Sequence, residues 1–310
     1  MNKLLVVGSV AFDGIETPFG KADKIVGGSA TYISLAASYF KLNQCVVSLI
    51  GGDFPKNYLE MLKARNIDTS GIKVIENEES FYWKVKYDND LNSRETLLTA
   101  INVFENFNPQ IPESYKDADF LMLGNIHPRL QMQAIEQMNK RPKLILLDTI
   151  NLWISENRDE LLEVLKEVDV ISINNEEARE ISNEYSLVKA AKKIMKMGPK
   201  YVIIKKGEHG VLLFHKDAVF FAPALPLEEV FDPTGAGDTF AGGFVGHLAS
   251  TSNLSFENMK LALVAGSNLA SFCVEKFGTQ RMESLTQEEV YRRLRNFKQL
   301  TQFDIELNEV

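Results

Sequence analysis

Residues 231–243 read FDPTGAGDTFAGG, and no other stretch restricts the fold of this chain so tightly. Upstream lies an apolar, proline-punctuated region (Ala222, Pro223, Pro226, Val230), and downstream residues 239–248 carry the small and apolar side chains of a buried helix. The junction holds Gly235 and Gly237 with only Ala236 between them. A backbone free to adopt positive φ in such a turn can aim consecutive N–H groups at one point, and that point lies at a helix N-terminus, where the macrodipole favours negative charge. Gly235, Ala236 and Gly237 are therefore expected to form an anion hole. Asp238 follows directly. A carboxylate beside an anion hole has a fitting use: it accepts the proton of a hydroxyl that attacks a phosphoryl group, while neighbouring N–H groups stabilise the charge developing on the phosphate oxygens. The plain alternative is that Asp238 caps the helix and the glycines only make a turn.

Asp232-Pro233-Thr234-Gly235-Ala236-Gly237-Asp238, continued by Ala241, Gly242 and Gly243, closely resembles the signature of the ribokinase-like (PfkB) family of carbohydrate and nucleoside kinases. Seven ordered positions are far more specific than an isolated GxGD, which weighs against the cap-only alternative. The resemblance implies an ATP- and Mg2+-dependent kinase with Asp238 as general base and with Thr234, Gly235 and Gly237 against the phosphates.

The rest of the chain suits such a fold. With 310 residues, 45% hydrophobic and 25% charged, it can bury a large core without staples. A net charge of −8 argues against a nucleic-acid or anionic-membrane surface, since both depend on clustered Lys and Arg. Cys45 and Cys273 sit in apolar segments without metal-binding spacing and read as buried thiols in a reducing compartment. Leu4-Leu5-Val6-Val7 is a short strand rather than the apolar core of a signal peptide, and no run approaches membrane-spanning length, so a soluble cytoplasmic protein is expected.

Apolar strands (4–7, 45–50, 120–123, 143–147, 168–173, 201–205) alternate with helical patterns (30–40, 55–64, 129–138, 176–181, 256–277, 287–303). This predicts one α/β domain over residues 1–310, a doubly wound, mostly parallel central sheet with helices on both faces. Residues 80–99 break the plan. Phe81, Trp83, Val85 and Tyr87 alternate with Tyr82, Lys84 and Lys86 before a polar tip, Asp88-Asn89-Asp90-Leu91-Asn92, which is the pattern of a hairpin with one aromatic face. By resemblance, residues 13–26 and 80–99 form a small β lid that closes over substrate, and such lids often join two subunits, which implies a homodimer.

Other positions have two readings from the residues alone. Asp13 lies just after the first strand, where parallel sheets bind ligands, or it caps a turn. Gly27 and Gly28 before a helix permit close approach of a ligand, or form a turn with Ser29 as N-cap. Asn174-Asn175-Glu176-Glu177 opens a helix whose N-terminus favours acids in any case. Lys205 and Gly207 after the 201–205 strand suit a hairpin turn as well as a passing nucleotide. The resemblance implies that Asp13, Gly27 and Gly28 hold substrate hydroxyls, that Asn174, Lys205 and Gly207 border ATP, and that Glu177 is linked to Mg2+ through water. It also implies that Ser267 and Asn268 lie near the adenine, and it allows a monovalent cation (K+) beside Asp232. Family members often carry Asn a few residues after the glycine pair, where this chain has Thr31 and Tyr32.

The expected acceptor is a small sugar or polyol. A nucleoside such as adenosine is the alternative: Tyr32, Phe81 and Trp83 either offer a shelf to a base or serve as lid core, the commoner fate of aromatics at strand spacing. A phosphorylated sugar is disfavoured, since no basic cluster lies near Asp13 or in the lid. A catalytically idle sugar or nucleotide sensor would have no use for Asp238. Neither GxGxxG after the first strand nor GxxxxGK[ST] is present, which argues against a dinucleotide oxidoreductase and a P-loop enzyme.

Overall fold

The computed structural model describes residues 1–91 and 93–302. Asn92 of the expected hairpin tip and Phe303 at the expected end of the last helix lie outside the described residues. Strands are numbered along the chain: β1 (Lys3–Val7), β2 (Ala11–Thr17), β3 (Gly20–Gly27), β4 (Asn43–Gly51), β5 (Ile67–Ile75), β6 (Tyr82–Tyr87), β7 (Arg94–Ala100), β8 (Phe120–Leu123), β9 (Leu144–Asp148), β10 (Val170–Asn174), β11 (Tyr201–Lys205), β12 (Val211–His215) and β13 (Ala218–Ala222). The main sheet has the order β13-β12-β11-β10-β9-β8-β1-β4-β5. β5 through β11 in this order are parallel, and β12 and β13 fold back antiparallel at one edge.

The central strands are apolar on both faces because both faces are covered. Leu4 and Val6 point into one core with the Ser29–Ala37, Ala236–Thr251 and Phe256–Cys273 helices, while Leu5 and Val7 point into the other with the Arg158–Glu167, Asn175–Ser182 and Leu187–Met195 helices. The small residues that continue the glycine motif serve the first of these cores. A Cβ on Gly242 would stand 2.2 Å from the Ile33 carbonyl oxygen, and one on Gly243 2.9 Å from the Gly266 Cα. The Ala236–Thr251 helix therefore lies close against both neighbours. Its first turn comes beside the first turn of the Ser29–Ala37 helix, so two helix N-termini meet at the carboxyl edge of the sheet.

A second sheet of order β3-β2-β6-β7 stands over that edge. Asp13 belongs to it, on β2, and not to the end of β1 where the sequence pattern placed it. After β1 the chain leaves the main sheet because Val10 N–H donates to Ser48 Oγ (2.9 Å) and Phe12 N–H to the Phe81 carbonyl (2.8 Å). Asp53 anchors the start of β6: its Oδ1 accepts from Ser80 N–H (2.8 Å) and Oγ (2.7 Å), and Lys24 lies 3.3 Å from its Oδ2. The helix expected to run to residue 277 ends at Cys273, where the Val274 carbonyl accepts from Phe231 N–H (2.9 Å).

Candidate active site

Three neighbouring parallel strands carry one row of polar side chains. In register, Asn174 at the end of β10 lies beside Lys205 at the end of β11, and Ser172 of β10 beside Asp148 at the end of β9. Lys205 Nζ reaches across to Asp148 Oδ1 (3.4 Å). Asn174 and Glu177 form a capping box: Asn174 Oδ1 accepts from the N–H groups of Glu176 (2.9 Å) and Glu177 (2.8 Å), and Glu177 Oε2 accepts from Asn174 N–H (2.7 Å). The local signal thus has its structural use, and one Glu177 oxygen is left over. Burial pushes the Glu177 carboxyl up to about 7, with Lys205 opposing and Asp148 reinforcing the rise. Among the described residues no group of three His, Cys, Asp or Glu could hold a metal. The donors fit an ion that arrives with phosphate and water ligands of its own.

The glycine turn abuts this row. Gly235 has φ +74 and is the N-cap of the Ala236–Thr251 helix; a Cβ there would stand 2.4 Å from the Tyr32 ring. The Ala236 N–H turns back to the Pro233 carbonyl (3.2 Å), whereas the N–H groups of Gly237 and Asp238 have no partner among the described residues. The N–H groups of the turn left free to meet a ligand are thus those of Gly237 and Asp238, not that of Ala236. Lys205 Nζ lies 3.1 Å from where a Gly237 Cβ would be, bringing a cation to the same turn. Burial lowers the proton affinity of that amine, but Asp148, Glu177 and Asp238 outweigh it and keep the group charged. Asp238 is half-buried, and its Oδ1 is shielded from solvent without a hydrogen-bond partner. Burial and then Asp148 push its carboxyl up to about 7 against the pull of Lys205 and Arg94. Asp232 braces the turn from behind, accepting from the N–H groups of Thr234 (2.8 Å) and Gly278 (2.8 Å).

Asp13 faces the turn from the lid. It is buried, and its Oδ2 occupies the space a Gly27 Cβ would take, at 1.8 Å. Gly28 has φ +91, and a Cβ there would stand 2.5 Å from the Ser9 carbonyl oxygen. Burial, then the charges of Asp232 and Asp238, push the Asp13 carboxyl up to about 8, with the Gly28 N–H and the Tyr32 hydroxyl beside it drawing it back. Tyr32 lies between Asp13 and Gly235 at 1% exposure, and its hydroxyl makes no well-formed hydrogen bond.

Of the three aromatic residues considered for a shelf, Tyr32 is thus spent beneath the turn and Phe81 packs on Phe104 (5.7 Å). Trp83 remains on the inner lid face, directly across from Asp13 on the neighbouring strand. Asn268 is fully buried and donates to the Val290 carbonyl (3.1 Å), so it lines no cleft. Gly207, φ +56, opens the turn after β11, beside the row formed by Asn174 and Lys205. Asp148, Tyr87 and Arg94 are not among the site residues expected from the sequence. Asp148 carried one usable signal, a carboxylate at the end of an apolar strand.

The family model for pfkB family carbohydrate kinases matches residues 1–286. The chain belongs to this family. Over 79% of its length it is 31% identical to the cytidine kinase of Thermococcus kodakarensis, covering 88% of that protein. It is 27% identical to the nucleoside kinase of Methanothermobacter thermautotrophicus, with 93% of this chain and 94% of that one covered. A structure described as ribokinase II of E. coli in complex with ATP and Mg2+ matches at a TM-score of 0.77, with 20% identity over 96% of this chain and 100% of that one. The fold is ribokinase-like, and this PfkB protein is an ATP-dependent kinase, a phosphotransferase with an alcohol group as acceptor. Among the described residues no helix is long and apolar enough to cross a membrane.

Proposed function

We propose that this kinase transfers the γ-phosphoryl group of Mg·ATP to a hydroxyl of a small sugar or polyol seated against Asp13, Gly27 and Gly28. The observation that carries the reading is Asp238: a carboxylate with an unpartnered oxygen, poised near 7, in the first turn of a helix whose Gly237 and Asp238 N–H groups are free. Asp13 and the Gly28 N–H orient the acceptor, and Gly27 leaves room for the Asp13 carboxylate. Asp238 takes the proton as the acceptor oxygen bonds to phosphorus and the bond from phosphorus to the bridging oxygen of ADP breaks. The N–H groups of Gly237 and Asp238 and the charge of Lys205 face the oxygens on which negative charge develops. No covalent intermediate is needed. Thr234, Asn174, Lys205 and Gly207 border the nucleotide, and the spare Glu177 oxygen would hold a water of the Mg2+ that enters with ATP.

Asp232 is fully buried, and among the described residues no Lys or Arg pairs with it. That fits K+ held beside it, which would supply positive charge behind the turn. The exposed Leu97 and Leu98 on β7 suit a homodimer formed through the lid, and the two buried free thiols suit the cytoplasm. One observation favours a second reading, a nucleoside acceptor: Trp83 stands beside Asp13 with its ring half-buried, where a base would stack, and two of the relatives are nucleoside kinases. ADP release from Mg·ATP against a panel of pentoses, hexoses, inositols and nucleosides, with Asp238→Asn beside the wild type, tests the proposal. The expected result is turnover of one acceptor class that falls by several orders of magnitude in the variant. Acceptor-dependent turnover surviving in Asp238→Asn would refute the general-base assignment.

A further inference from the structure

The register of the lid sheet places a cation over the phosphate-binding turn. β6 and β7 pair Tyr87 with Arg94 and Val85 with Thr96, and β2 and β6 pair Asp13 with Trp83 and Ile15 with Val85. Directly paired residues share a face of a sheet, so Asp13, Trp83, Tyr87 and Arg94 all project from the inner face. The Tyr87 hydroxyl lies 3.1 Å from Thr234 Oγ1. This end of the lid therefore rests on the glycine turn and not only on the acceptor pocket. Arg94, opposite Tyr87, extends its guanidinium over the Trp83 ring, 5.4 Å from the centroid. It lies beside Tyr87, the residue that touches the turn, and it makes no salt bridge among the described residues. The lysines of β6 do not share the position: Lys84 and Lys86 lie on the alternate face, and Lys84 is 3.5 Å from Glu16.

We propose that Arg94 is a catalytic residue whose guanidinium contacts the γ-phosphoryl group during transfer, opposite the N–H groups of the glycine turn and Lys205. The proposal rests on the phosphoryl-transfer reading of the Asp238 site. A planar guanidinium matches two phosphate oxygens at once. Its charge counts most while negative charge spreads over the oxygens of the migrating group. Stacking on Trp83 holds the cation without neutralising it. Arg94 also acts on the carboxylates already: it draws the proton affinities of Asp238 and Glu177 downward, consistent with its reaching both.

The test compares Arg94→Ala and Arg94→Lys with Lys86→Met, a charge removed from the outer face of the same lid, after thermal melts have shown each variant folded. With the acceptor that the wild type turns over, Arg94→Ala is expected to lower kcat by about 10²–10³-fold with KM for the acceptor within about threefold. Arg94→Lys should fall in between, and Lys86→Met should match the wild type. A kcat for Arg94→Ala within about threefold of wild type overturns the proposal.

Binding separates this failure from failure of the kinase reading. In a Trp153→Phe background Trp83 is the sole tryptophan, since the chain has 2, and its fluorescence reports the inner lid face. Arg94→Ala is expected to weaken Mg·AMP-PNP about tenfold or more and leave Mg·ADP, which lacks the γ-phosphoryl group, within about twofold. Equal loss for both nucleotides, or loss for neither, overturns the assignment even if no acceptor is found.

Discussion

Replacing Asp148 with Asn should make the enzyme relatively more active in acid. After burial itself, Asp148 is the largest influence raising the Asp238 carboxyl, which lies at about 7. Asn preserves the shape and the oxygen that accepts from Thr149 N–H (3.0 Å), and it removes only the charge. Losing a like charge at this range lowers a carboxyl by ~1–3 units, and Lys205, released from its partner at 3.4 Å, acts in the same direction. The base of the variant then titrates at roughly 4–6. At pH 6 about one-tenth of wild-type Asp238 is ionised, against about half or more in the variant, so kcat/KM relative to its own alkaline plateau should be ~5–10-fold higher in the variant. The plateau itself should fall, because a base of lower pKa accepts a proton less readily. The assay is ADP release from pH 5 to 9 with both substrates well below saturation, so that the profile reports the free enzyme. An acid limb that stays in place or moves to higher pH would refute the electrostatic account of Asp238.

Three further outcomes follow from the same geometry. Gly235→Ala puts a Cβ 2.4 Å from the buried Tyr32 ring at φ +74, so it should lose ~2–4 kcal/mol in chemical denaturation. Combined with Tyr32→Ala, itself costly at a buried ring, it should lose less than the sum of the two single losses. Tyr87→Phe removes the 3.1 Å contact to Thr234, at a cost of ~0.5–1.5 kcal/mol; faster hydrogen exchange confined to β6 and β7 would show it. The carboxyls of Asp13 (about 8) and Glu177 (about 7) lie above their ordinary 3.8 and 4.5, so the native state binds their protons more tightly than the unfolded chain. Their contribution is complete below about pH 4 and is lost as pH rises through about 7 and 8. The unliganded melting temperature should therefore drop between pH 5.5 and 8.5, and Asp13→Asn should reduce the drop; an unchanged slope in that variant counts against a buried, protonated Asp13.

Local order was legible in the residues. The alternation of apolar runs with helical spacing led to the parallel sheet with two covered faces, since a strand buried on both sides is apolar throughout. The motif in residues 231–243 located a helix N-terminus with a left-handed residue, and Gly235 supplies it at φ +74. Asn174 and Glu177 stand three apart, as a capping box requires, which is a property of four consecutive residues. Such features depend on neighbours in the chain, and neighbours in the chain are what a sequence displays.

Charge coupling and strand register depend instead on residues remote in sequence. Asp148 and Lys205 are 57 positions apart and meet because β10 inserts between their strands. Tyr87 and Thr234 are 147 apart. Arg94 had no local signal at all: its place over the turn follows from pairing with Tyr87, and its face of the sheet would reverse if that register slipped by one residue. The aromatic residues show the same division. Tyr32, Phe81 and Trp83 were equivalent candidates as residues, and packing alone separated a ring under Gly235, a ring against Phe104 and a ring left beside Asp13. The sequence by itself determined the kind of chemistry, because the glycine turn and Asp238 are contiguous. Only the tertiary structure decided which charges tune it, because a Coulomb interaction depends on distance through space and not on separation along the chain.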